Sequence, residues 1–201
     1  MANYFAYTDD DLAALAAKDK KLGAAIARIG RIDRVVQPDL FAALVESIIG
    51  QQISGKAAGT IKDRLVTLTG GITPTAIAAL PDEEIQKCGM SHRKAGYVKS
   101  AALAVLDGTL DIEKLRHMDD EAAITYLVKL PGVGLWTAEM LLIFCLQRHN
   151  VFSFGDLAIK KGLCKLHGHK EMPRERFERY RKRYAPYQSI ASLYLWHISG
   201  E

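Results

Sequence analysis

Three cysteines in 201 residues, Cys88, Cys145 and Cys164, lie far apart and form no C-x-x-C pair. A disulfide framework is therefore not expected, and a centre needing four clustered thiolates, such as an iron–sulfur cluster, is excluded. The six histidines contain no H-E-x-x-H; the closest pair, His167 and His169, sits beside Gly168 and reads as solvated loop. No apolar run nears the roughly 20 residues of a spanning helix. The longest, Met140 to Leu146, is about a third of that, so no membrane partner is expected. The opening MANYFAYTDDD has no basic stretch leading into an apolar core and does not read as a secretion signal. Residence in the cytoplasm, or in the nucleus of a eukaryote, is the expectation.

Low-complexity linkers, fixed-period repeats and strand alternation are missing too. What is present is an ordinary globular composition, 49% hydrophobic and 25% charged, which sets aside disorder, collagen and coiled coil. Helical periodicity dominates. Thr8 with Asp9 to Asp11 reads as a cap and acidic first turn, followed by Leu12, Leu15 and Ala16. Pro38-Asp39 opens a second helix through Phe41, Leu44, Ile48 and Ile49. Further helices are expected at about 55–68, from Pro81 to Gly89, from Ser91 to Gly108, at 119–129 and 135–147, from Asp156, and at 174–183 and 187–198. The fold class is all-α, built from about ten or more short helices.

The formal net charge is only +4, but Lys160 to Arg183 holds ten Lys or Arg against three Glu. Such a run is either a solvated helix face or the electrostatic footprint of a polyanion site.

A second signal comes from LVKLPGVGLWTAEMLLIF, residues 127–144. Two helices meet through Pro131-Gly132-Val133-Gly134. Glycines there free the backbone and leave the amides of the following helix bare, a natural seat for phosphate. With Ile124, Leu127 and Val128 before it and Thr137-Ala138 after it, the segment (about 119–147) closely resembles the helix-hairpin-helix element of DNA-binding proteins. The resemblance implies phosphate binding at Gly132, Gly134 and Thr137. It also implies a monovalent cation, Na+ or K+, on the backbone carbonyls of Val128, Leu130 and Val133. No other cofactor is implied.

Asp156 follows in NVFSFGDLAIKK, where it reads either as an N-cap or as something more. Hairpin, spacer and V-F-x-x-x-D-x-x-I-K together resemble the helix-hairpin-helix (HhH-GPD) superfamily of base-excision DNA glycosylases, in which this aspartate is catalytic. The best match is the 3-methyladenine DNA glycosylase II family. The similarity runs from Phe41 to Trp196 and includes IIGQQIS (48–54), the stretch from Gly89 to Ala95, and ASLYLW (191–196). The β-rich N-terminal domain of well-known bacterial members has no counterpart here.

The resemblance implies a two-lobed helical fold. One lobe is expected over 38–150 with the hairpin, the other over 1–37 plus 151–201, with the DNA cleft between them. Trp136 stands where bifunctional relatives carry a lysine nucleophile, so simple hydrolysis to an abasic site is expected. Trp136, Trp196 and Gln51 match base-pocket positions, and Gln52 matches the wedge that fills the gap left by the flipped base. Ser91, Arg93 and Lys94 are candidates for the opposite phosphate backbone. The expected partner is double-stranded DNA with damaged bases, bound by a monomer. A non-catalytic helix-hairpin-helix module that binds DNA structure is the alternative.

Overall fold

The computed structural model describes residues 3–201. Among the described residues the backbone forms thirteen helices and no strand, and Tyr4 and Val35 make one isolated antiparallel bridge. Most helices begin where a short polar side chain can take the first free amides. Thr8 caps α1 (Asp9–Lys18) in a reciprocal box with Asp11: the Thr8 hydroxyl accepts from Asp11 N at 3.1 Å, and Asp11 Oδ2 accepts from Thr8 N at 2.7 Å. Asp39, Ser54, Ser91 and Asp119 each accept from one first-turn amide of α3 (Leu40–Gly50), α4 (Gly55–Thr69), α7 (His92–Leu106) and α9 (Asp120–Leu127).

Three helices were not singled out by sequence patterning: α2 (Lys20–Ile29), α5 (Pro74–Ala79) and α8 (Ile112–His117). Each has its cap in the sequence, in Asp19, Thr73 and Asp111. α5 and α8 are six residues long, too short to show two turns of apolar period. The remaining helices, α6 (Asp82–Lys87), α10 (Leu135–Phe144), α11 (Leu157–His167), α12 (Arg174–Tyr184) and α13 (Gln188–Gly200), fall where expected within a few residues.

The chain gathers into two compact units, one of Gln37–Leu141 and one joining the segment up to Val36 with Leu142–Glu201. The second boundary thus lies inside α10, not in the loop near 150. α10 is largely apolar, Thr137 and Glu139 apart, with Ala138, Leu141, Leu142 and Ile143 at most 2% exposed. Its last turn is gathered by the second unit, where the Phe144 ring lies 5.3 Å from Trp196 and under the Arg34 guanidinium.

In the unit 37–141, α3 packs against α4 and α7, and α5 and α6 cover α7, around Leu44, Ile48, Leu65, Ile77, Ile85 and Val98. In the other unit α11 lies along α13. The contact is close because Gly162 has no side chain: a Cβ there would collide with the Leu195 carbonyl. Gly162→Ala must push two helix backbones apart and should cost at least about 1–3 kcal/mol. Gly59→Ala, mid-helix in open space, should instead gain about 0.5–1 kcal/mol. Thermal melts of the two variants give opposite shifts.

His167 and His169 are not solvated loop residues. Their rings stack at 5.8 Å beside Tyr180, and His169 Nε2 bonds the Tyr180 hydroxyl at 2.7 Å. His167 Nε2 lies 3.2 Å from Tyr184 Oη and 3.4 Å from the buried Asp19. Asp19 caps α2 and receives hydrogen bonds from Arg183 at 2.9 Å and Tyr184 at 3.1 Å. Burial alone would raise the Asp19 pKa. The Leu22 amide, Arg183, His167 and Tyr184 outweigh it and hold the carboxyl below its ordinary 3.8. Burial holds His167 below its ordinary 6.5 against the pull of Asp19. The unfolded chain therefore binds a proton at His167 before the folded one does, so stability falls as the pH drops below about 6.5. The Asp19 contribution is complete above about 3.8 and is lost as the pH falls through the lower folded value. Melts between about pH 7 and pH 3 should show both limbs; His167→Gln removes the first and Asp19→Asn the second.

Candidate nucleic-acid interface

Within the unit 37–141, α9 ends at Leu127 and the chain turns through 128–134 into α10. Two tight bonds shape the turn, Leu130 N to Leu127 O at 3.0 Å and Val133 N to Leu130 O at 3.1 Å. The two glycines have different reasons to be there. Gly132 sits at φ +83° with the Tyr97 ring beneath it, where a Cβ would meet Cγ at 2.7 Å. Gly134 has nothing within 4 Å of a Cβ position. The first amides of α10 have no acceptor within the helix, and they start at a residue that internal packing leaves open. Apolar side chains flank them: Val128, Leu135 and Trp136 are exposed. The Thr137 side chain is buried.

The IIGQQIS segment ends α3 and turns into α4. Gln51 is not simply in water, because its Nε2 donates to Gly132 O at 2.8 Å and ties this turn to the hairpin. Gln52 is exposed and held at φ +58°, uncommon for a non-glycine residue. Ile53 beside it is 39% exposed. Sequence reading passed over Ile53, which looks like an ordinary core residue until the left-handed turn shows its side to solvent.

Ser91 accepts from Lys94 N as the cap of α7, and Arg93 is exposed in its first turn. Lys94 differs from the phosphate ligand expected. Its ammonium donates to the carbonyls of Ile49 at 2.8 Å and Gln51 at 2.5 Å, and burial lowers its pKa. Sequence spacing could not reveal a partner more than forty residues away.

Within the second unit, Asp156 is buried and caps α11. Its Oδ1 accepts from Ala158 N and Ile159 N, both at 2.9 Å, and its own amide bonds Ser153 O at 3.3 Å. Leu157 next to it is 75% exposed, an apolar side chain beside a carboxylate at the surface end of a helix. Trp196 is half-buried on α13 against Phe144.

Much of the basic stretch is engaged inside the fold. Arg183 pairs with Asp19, and Arg181 donates to Phe152 O at 2.6 Å and pairs with Glu178. Lys165 and Arg176 bond the Ser199 and Glu171 carbonyls, while Lys160 and Arg174 lie over the Phe154 ring. Lys161, Lys170, Arg179 and Lys182 are exposed and form the part of the run best suited to meet a polyanion.

Residues 45–186 match the HhH-GPD superfamily base excision DNA repair protein family. The chain is 33% identical to the DNA-3-methyladenine glycosylase of Saccharomyces cerevisiae, over 81% of this chain and 67% of that protein. A crystal structure of a DNA-3-methyladenine glycosidase from Bacillus halodurans superposes with a TM-score of 0.87 at 34% identity, covering 98% of this chain and 93% of that one. A Schizosaccharomyces pombe 3-methyladenine DNA glycosylase in complex with abasic DNA gives 0.82 at 30% identity, covering 93% and 95%.

The two hairpin glycines should separate by assay. Gly132→Ala combines a disfavoured φ with a clash against Tyr97 and should cost about 1–3 kcal/mol in a thermal melt. Gly134→Ala should cost less than about 1 kcal/mol, and its effect should appear in DNA affinity instead.

Proposed function

The chain belongs to the HhH-GPD superfamily of base-excision DNA repair proteins, and within it we propose a monofunctional DNA glycosylase that hydrolyses the N-glycosidic bond of alkylated purines in double-stranded DNA. Support comes from the 3-methyladenine glycosylases among its relatives and from one local observation: a buried carboxylate, Asp156, held by two backbone amides on a single oxygen. Those bonds fix its direction.

The chemistry needs little more. Water adds at C1′ while the C1′–N bond electrons leave with the base. A cationic alkylpurine departs neutral, so its departure needs little protonation. The sugar passes through an oxocarbenium-like state, which the Asp156 carboxylate stabilises, and the same group takes the proton of the attacking water. Trp136 carries no amine, so no Schiff base forms at that position and the strand stays intact at an abasic site.

Trp136 and Trp196, one from each unit, each offer an aromatic face to the electron-poor base for stacking and cation–π attraction, and Gln51 is the polar side chain assigned to meet the base. Gln52 fills the gap left in the duplex. The amides of Gly132 and Gly134 in the turn, and of Thr137 in the first turn of α10, take one strand's phosphates, and Ser91 and Arg93 the other's. Such contacts position the protein without reading sequence. The carbonyl oxygens of Val128, Leu130 and Val133 are hard neutral donors suited to Na+ or K+. Leu130 O accepts from Val133 N with one lone pair, which leaves the other for such an ion, whose charge would favour a nearby phosphate. The protein acts as a monomer in the compartment that holds the genome.

Single-turnover base release by wild type and Asp156→Asn tests the assignment. Asparagine caps a helix as well as aspartate, so the melt should move by less than about 1 kcal/mol while release falls about a hundredfold to a thousandfold. The loss should be smaller for cationic 7-methylguanine than for neutral hypoxanthine. Strand breaks should appear only after alkali. No base release by a folded wild type would favour the non-catalytic binding module.

A further inference from the structure

The turn between α3 and α4 is held from both sides. Behind it, Lys94 on the first turn of α7 donates to the Ile49 and Gln51 carbonyls at 2.8 and 2.5 Å. These lie at the C-terminal end of α3, where carbonyls have no partner within the helix and the dipole is negative. To one side, the Gln51 amide reaches the hairpin at Gly132 O, 2.8 Å away. Ahead, the Ser54 hydroxyl caps α4 by accepting from Ala57 N at 3.2 Å. Only Gln52 and Ile53 lie between these fixed points. Both are exposed, and Gln52 adopts a φ of +58° that persists only where its surroundings impose it.

An ammonium has three hydrogens. Two of those on Lys94 are engaged with carbonyls, and burial depresses its pKa. Both observations set it apart from a solvated lysine waiting for phosphate.

We propose that Lys94 is a positioning residue for the DNA wedge: with Gln51 it locks the 51–53 turn in the conformation that presents Gln52 and Ile53 to the duplex, and it contacts no phosphate. The proposal rests on the glycosylase reading above. In its absence the turn would sample other conformations, and each extrusion of a base would have to select the competent one.

Lys94→Met and Gln51→Ala are compared with wild type in three measurements. One is the salt dependence of binding to an abasic-site duplex. The second is the fluorescence rise of 2-aminopurine placed beside the lesion, which reports unstacking. The third is single-turnover release of hypoxanthine from a paired site and from a one-nucleotide bulge, where the base is already unstacked. For Lys94→Met the salt slope should stay as in wild type and the fluorescence rise should drop by about half or more. Release from the paired site should fall about tenfold and from the bulge by less than about threefold, because the bulge needs little extrusion. Gln51→Ala should show the same contrast between paired and bulged sites. A salt slope reduced by about one, with equal losses at both sites, would make Lys94 a phosphate ligand and overturn the proposal. Unchanged fluorescence and release would overturn it as well. If Lys94→Met melts below the assay temperature, Lys94→Gln, which keeps one donor, carries the same contrasts. Wild type that unstacks the duplex yet releases no base would remove the enzymatic reading while leaving the fluorescence comparison to judge the turn.

Discussion

Short helices leave many backbone groups without partners, because four amides and four carbonyls at each helix have no acceptor or donor within it. The thirteen helices among the described residues must satisfy those ends in some other way, and each solution has a different consequence. At α1, α4 and α7 a neighbouring hydroxyl closes the end locally. At the end of α3 the partner comes from a distance, as the Lys94 ammonium. At the start of α10 Gly134 adds no side chain beside the amides, and this is the end that faces a phosphate in the proposed complex.

The same logic reconciles the observed cap at Asp156 with its proposed catalytic role. Capping uses Oδ1 for two amides and turns a flexible carboxylate into one of fixed direction. Electrostatic catalysis gains from such fixing, since no reorganisation is needed when the sugar becomes charged. The bland account of the residue and the sharp one thus describe a single arrangement. They differ in whether a substrate arrives.

The basic stretch shows why charge counted along a chain overstates charge offered to a partner. Arg183 serves Asp19, Arg181 serves Phe152 O and Glu178, and Lys160 and Arg174 share the Phe154 ring. Seven of the ten are exposed by area, but Lys165, Arg174 and Arg183 among them are engaged within the fold, which leaves Lys161, Lys170, Arg179 and Lys182 as the part best placed to meet a polyanion. In the proposed complex backbone amides also serve the polyanion, so a mild formal charge of +4 suffices.

Local signals read well from the sequence. Caps at Thr8, Asp39, Ser54, Ser91 and Asp119, the apolar period of the longer helices, and the L-P-G-V-G turn each act through neighbours three or four residues away, so spacing alone exposes them. Of the six-residue helices, α5 and α8 escaped because they hold too few apolar positions to show a period, although their caps stood in plain view at Thr73 and Asp111, whereas Pro81 and an acidic first turn marked α6. The resemblance carried the identity of Asp156, Trp136 and Trp196 as candidates, since residue type and order survive without coordinates. Long-range pairings stayed hidden. Nothing in the spacing of Lys94 announces the Ile49 and Gln51 carbonyls, nothing near His167 announces Asp19, and Gly162 shows its purpose only when α13 lies against it. Those contacts join residues that are distant in the chain, and tertiary packing alone decides which of them meet.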